Sequence, residues 1–188
     1  MRTHAITATA LLLAVTACTS ASNSDDKPAA TKKAAKATKP EPSATPDKPR
    51  AFGETLTFTG EEGTKFAVTV LGYEQGTFKP QTSADAEFNT TGYTWAALEL
   101  KACLKKGTSG VTRYPWALAY ADGTRIEPST VTYDDFPKPE YPYEAKMKAG
   151  DCVRGKTVFA VPAKQRPERV LYTTDSFDTP PEWAVPKP

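Results

Sequence analysis

The chain has 188 residues, with 24 Lys and Arg against 22 Asp and Glu and a single His, for a formal net charge of +2. Of these, 16 basic and 18 acidic residues fall in residues 51–188, a net −2 there, which excludes the basic footprint of a nucleic-acid binder. The one imidazole, His4, sits in the leader, so the exported protein has no His for a Ser/His/Asp or Cys/His nucleophile or for a His-built zinc or copper site.

In chain order, Met1–His4 carries a cation at Arg2, and the apolar run Ala5–Val15 centres on Leu11, Leu12 and Leu13. That is the pattern of a signal peptide over residues 1–17. It falls short of the roughly 20 apolar residues of a spanning helix. The stretch Val15-Thr16-Ala17-Cys18 resembles the lipobox of bacterial lipoproteins. The resemblance implies that Cys18 is diacylated and becomes the mature N-terminus, so that two or three acyl chains hold the protein on the lipid bilayer without spanning it. The competing reading is ordinary secretion with cleavage elsewhere and Cys18 a bystander.

Residues 18–50 are almost wholly Ala, Lys, Pro, Ser, Thr and Asp, with no aromatic or large aliphatic side chain after Cys18. Such a segment cannot bury enough apolar surface to offset chain entropy. Prolines at 28, 40, 42, 46 and 49 interrupt any Ala/Lys helix. The expectation is a disordered, partly polyproline-like tether with a net charge of +3.

Residues 51–188 are the length of one domain. Strand patterns run over 54–59, 65–73, 93–104, 114–121, 125–131, 143–147, 153–161 and 169–173, some alternating as in Phe66-Ala67-Val68-Thr69-Val70. Turn signals separate them at Gly60–Gly63, Gly107–Gly110, Asp122-Gly123 and Ala149-Gly150-Asp151, and no segment keeps a helical period. The fold class expected is all-β, an antiparallel β-sandwich of immunoglobulin-like architecture, with Trp95 and Trp116 in its core. With Cys18 acylated, Cys103 and Cys152 are the remaining thiols of an exported chain and should form one disulfide. A free or redox-active pair is the alternative, but the two are not in a C-x-x-C arrangement.

The run Gly150-Asp151-Cys152-Val153-Arg154-Gly155-Lys156-Thr157-Val158-Phe159-Ala160-Val161-Pro162 resembles a G-x-C-x-x-G-x-x-x-F-x-V-P segment of actinobacterial lipoproteins that carry an immunoglobulin-like module of unknown function. Those modules are similar to small secreted mycobacterial immunoprotective antigens. Trp95–Cys103 and Trp116–Thr124, the latter leading into an Asp122-Gly123-Thr124 turn, fit the same pattern. The Asp134–Tyr143 segment departs from it, being richer in proline and aromatics. The resemblance rests on structural positions over most of residues 53–175 and transfers no catalytic residue.

The carboxylates Asp134, Asp135, Glu140 and Glu144 lie close in sequence, but without the D-x-D-x-D spacing of a calcium loop. Lys106–Gly110 reads as a turn between strands rather than a phosphate loop. No cofactor or metal is expected. Tyr133, Phe136, Tyr141 and Tyr143 crowd one proline-punctuated segment, either as an exposed binding loop or as rings closing the end of the core. The function expected is a non-enzymatic binding or interaction module displayed outside the cytoplasmic membrane, with an envelope protein, the cell wall or a small ligand as partner. A passive structural subunit and a carboxylate hydrolase are the alternatives.

Overall fold

The computed structural model describes residues 48–187; the leader, Cys18 and the tether up to residue 47 lie outside the described residues. The strands are β1 (Thr55–Thr59), β2 (Lys65–Gln75), β3 (Tyr93–Lys106), β4 (Thr108–Thr112), β5 (Trp116–Ala119), β6 (Arg125–Ile126), β7 (Glu144–Lys148), β8 (Cys152–Pro162), β9 (Arg169–Tyr172) and β10 (Glu182–Ala184). One short α-helix, α1 (Ala84–Glu87), and a 3-10 turn at Glu61–Gly63 interrupt them. Two antiparallel sheets, ordered β1-β2-β3-β8 and β10-β9-β5-β6, form the sandwich, and β4 pairs with β7 beside it.

The inner face of the first sheet presents Phe66, Val68 and Val70 from β2, Leu98, Leu100 and Leu104 from β3, and Phe159 and Val161 from β8. They meet Trp116, Leu118, Val170 and Trp183 of the second sheet in one buried cluster. The alternation of strand side chains makes this face. β3 departs from simple alternation because both of its faces are covered. Trp95 and Ala97 point away from the main core into a smaller cluster with Ala84, Phe136 and Val158, and the Trp95 indole donates to the Thr82 carbonyl at 2.9 Å. The run Trp95-Ala96-Ala97-Leu98 is therefore continuously apolar.

Cys103 and Cys152 stand opposite one another in the β3–β8 register and are disulfide-bonded. The Gly150–Pro162 run acquires physical reasons position by position. Gly150 has φ of +98° in the turn before β8, a conformation that favours glycine. Phe159 and Val161 are core residues, and the Pro162 carbonyl accepts from Gln75 Nε2 at 3.0 Å. At Gly155 a Cβ would collide with the backbone of Glu140 and Tyr141. Those residues lie against the outer edge of β8: Tyr141 N–H donates to the Lys156 carbonyl and Lys156 N–H to the Pro139 carbonyl, both at 2.8 Å. Ser129 N–H donates to Val158 O further along the same edge. An otherwise open strand edge, a template for aggregation, is thus closed.

Two segments differ from the sequence reading, and a third, the C-terminal tail, is settled by the burial of Trp183. Thr108–Thr112 is a strand, not part of a turn; the bend is confined to Gly107, whose φ of +86° completes it within one residue. The strand expected over 125–131 stops at Ile126, because Pro128 offers no N–H to a ladder and the chain crosses to the β8 edge. The proline-rich tail docks as β10: Trp183 is fully buried, its indole donating to the Glu54 carbonyl at 2.9 Å.

Candidate functional site

Two of the four aromatics singled out in the 133–143 segment are buried. Phe136 packs edge-on to Trp95 at a ring distance of 4.9 Å in the smaller cluster, and Tyr141 is sealed in the main core. Tyr133 is half-buried against Phe136 and hydrogen-bonds Glu87. The expected exposed binding loop is corrected on this point: only Tyr143 presents its ring to solvent. The reason is that β3 has an outer apolar face to cover, and Phe136 and Tyr133 cover it.

Large exposed hydrophobic side chains among the described residues are Phe88, Tyr93, Tyr114 and Tyr143. Phe88, Tyr93 and Tyr114 line one groove, and Tyr143 reaches it through its contact with Tyr114. A cavity of about 380 Å³ lies between Phe88, Thr90, Tyr93 and Ile126–Thr130, and a cavity of about 580 Å³ between Tyr93, Tyr114, Ala117, Thr124–Glu127 and Thr173. The two share Tyr93, Ile126, Glu127 and Ala160 as walls. Tyr143 extends the rim: its hydroxyl meets that of Tyr114, and their rings sit edge to face at 5.3 Å.

Local structure delivers each ring. Ser83 caps α1, its Oγ accepting from Ala86 N–H, and Asn89, with φ of 47°, reverses the chain after Phe88. The Asp85 carboxylate then accepts from Gly92 and Tyr93 N–H at 3.1 and 2.8 Å, which holds the turn that carries both aromatic residues. Across the groove, Tyr114 occupies the short link between β4 and β5. Pro115 there accepts from Thr173 N–H at 2.7 Å and from its hydroxyl at 3.0 Å. Tyr143 is supported from below by Arg113, whose guanidinium lies 5.3 Å from the ring centroid.

Arg113 is buried and donates through Nη2 to Glu140 Oε1 at 2.9 Å and to the Tyr141 carbonyl at 3.1 Å. Partial burial pushes the Glu140 carboxyl up, but hydrogen bonds from Arg113 and Thr132 and the charges of Arg113 and Lys138 outweigh it and hold the group below its ordinary range. The hydrogen bond to Tyr143 raises the Tyr114 phenol above its ordinary value. The acids weighed for hydrolysis do not converge. Asp135 accepts from Gln81 N–H at 2.8 Å, Glu140 is committed to Arg113, Glu144 opens β7, and neither these nor Asp134 lines the groove.

A third hollow, of about 570 Å³, lies between the β1–β2 turn, β4 and the segment after β9, with Glu61, Glu62 and Asp175 at its rim. None of the exposed rings lines it. Sequence reasoning placed Tyr93 and Tyr114 as the first residues of strands and passed over Phe88. The available signal was local: an aromatic ring beside Asn89 to Gly92, and another wedged before Pro115, both where turns reach the surface.

No family model matches the chain, and no curated protein matches it. Among solved structures it is similar to MPT63, a secreted protein from Mycobacterium tuberculosis, with a TM-score of 0.55 and 15% identity over 73% of this chain and 98% of that one. At that identity the likeness is one of fold, and it agrees with the immunoglobulin-like sandwich.

Proposed function

We propose that the protein is a lipid-anchored extracytoplasmic binding module, tethered through Cys18, whose ligand site is the groove between Phe88, Tyr93, Tyr114 and Tyr143. One observation carries the reading: of the four exposed large hydrophobic side chains of the described residues, three line one groove and the fourth, Tyr143, touches one of them. Scattered exposed apolar residues are ordinary, whereas a contiguous group marks an interaction site. Both cavities fall in the range of about 300–1,000 Å³ usual for ligand sites. Glu127 is the one carboxylate on the groove walls, whereas hydrolysis of the glycoside type uses a facing pair, which supports binding over that chemistry.

The test uses full-length chain with Cys18→Ser, so that lipid cannot mediate capture, mixed with insoluble cell-envelope material and sedimented. Wild-type groove and Lys101→Ala, an exposed β3 substitution away from the groove, are expected to co-sediment. Tyr93→Ala/Tyr114→Ala is expected to stay in solution. Equal capture of all three overturns the reading.

A further inference from the structure

The groove walls specify a ligand class, and this step rests on the groove being the ligand site. We propose that it takes a neutral saccharide chain carrying vicinal hydroxyls.

Charge is the first discriminator. Arg125 and Glu127 are the ionised groups on the walls, one of each sign, so the groove offers no net field to a polyanion or a cationic peptide. Shape is the second. The floor is made by the short side chains of Ala117 and Ala160, and two cavities share a wall instead of forming one closed pocket. Such a trough fits a chain of linked units lying lengthwise better than a single compact molecule.

The third discriminator is the mixture of surfaces. The flat rings of Tyr93, Tyr114 and Phe88 match the C–H faces of pyranose or furanose rings, while phenol and threonine hydroxyls at the edges match equatorial hydroxyls. Tyrosine is suited to this because its body is apolar and its tip polar. Thr90 and Thr130 sit on the walls, and their hydroxyls make no side-chain hydrogen bond among the described residues, which leaves them free to serve a ligand. An acyl chain would leave these groups without partners, a costly arrangement. An extended peptide pairing with the sheet would need a longer edge than β6, which is two residues long.

The experiment repeats the sedimentation assay with full-length Cys18→Ser protein on envelope material treated in one of three ways. Mild periodate cleaves vicinal diols, protease removes polypeptide, and organic solvent extracts lipid. Periodate is expected to lower capture about tenfold or more, the scale of losing a central aromatic anchor, while protease and solvent leave it unchanged. Groove-dependent capture that resists periodate, or that protease or solvent abolishes, overturns the saccharide assignment and keeps the groove as the site. Capture that Tyr93→Ala/Tyr114→Ala does not change, or absence of capture by the unsubstituted groove, overturns the groove reading itself.

Discussion

Gly155→Ala tests the closing of the β8 edge. The new methyl would lie within 2.5 Å of the Glu140 carbonyl oxygen, and it also meets Tyr141 N–H and the Glu140 carbonyl carbon. These are backbone atoms that cannot rotate away, so the Pro139–Tyr141 segment must lift. Two hydrogen bonds of 2.8 Å to Lys156 then go, at about 1 kcal/mol each. The disturbed seating of the Tyr141 ring adds an overpacking cost of about 1–3 kcal/mol. The sum is a destabilisation of about 3–5 kcal/mol, equivalent to a Tm fall of roughly 6–20 °C for a chain of this size. Urea unfolding followed by Trp fluorescence measures it as a shift in midpoint at constant slope. Gly110→Ala is the internal comparison. Its Cβ meets nothing closer than the Ala145 carbonyl at 3.8 Å, so it should be neutral or gain about 0.4–1 kcal/mol from a less flexible unfolded chain. Equal stability of the two variants refutes the close-approach argument.

Glu140→Gln should cost about 1.5–3 kcal/mol at neutral pH by weakening the charged partner of buried Arg113. Because the folded-state pKa of Glu140 is lowered from its ordinary 4.5, its contribution is present above that value and is lost as pH falls through the folded pKa. The stability gap between wild type and Glu140→Gln should therefore narrow as pH falls below 4.5, which unfolding series at stepped pH would show. At the alkaline end, burial pushes Tyr172 to about 12, and burial with Tyr93 and Asp122 pushes Tyr120 to about 12, against 10.0 for a free phenol. Each raised phenol contributes stability that is complete below pH 10.0 and is lost as pH rises towards 12, at about 1.4 kcal/mol per pH unit. Phenolate absorbance should rise cooperatively with unfolding in that window; a smooth titration near pH 10.0 with stability unchanged would contradict it. Cys103→Ala/Cys152→Ala should lower stability by about 2–4 kcal/mol while far-UV circular dichroism stays that of a β protein, since β3 and β8 pair along their length without it.

Alternation made the inner faces of β2, β3 and β8 legible, and compartment reasoning paired Cys103 with Cys152. Long strands announce themselves because one face must be buried along the whole length. β4 and β10 were hidden for a different reason. Thr108-Ser109-Gly110 has little intrinsic strand preference and pairs because β7 is beside it, and the Glu182–Ala184 strand is three residues held by the burial of Trp183. These are tertiary effects acting on locally indifferent sequence. The same logic governs the rings. Tyr141 and Tyr143 stand two apart, yet one is sealed and the other exposed, because the backbone between them leaves the β8 edge and passes to β7. The groove was not legible because its walls come from the turn after α1, β3, the β4–β5 link and β6, which no local pattern connects.

The most direct test of the groove as the ligand site is hydroxyl-radical footprinting of the full-length Cys18→Ser protein, with and without envelope material, read by mass spectrometry. Aromatic side chains report their own exposure, so no substitution is needed. Protection is expected at Phe88, Tyr93, Tyr114 and Tyr143, with the exposed Lys101 face of β3 unchanged. Unaltered reactivity at those rings under conditions of capture, or protection confined to another face, would contradict it.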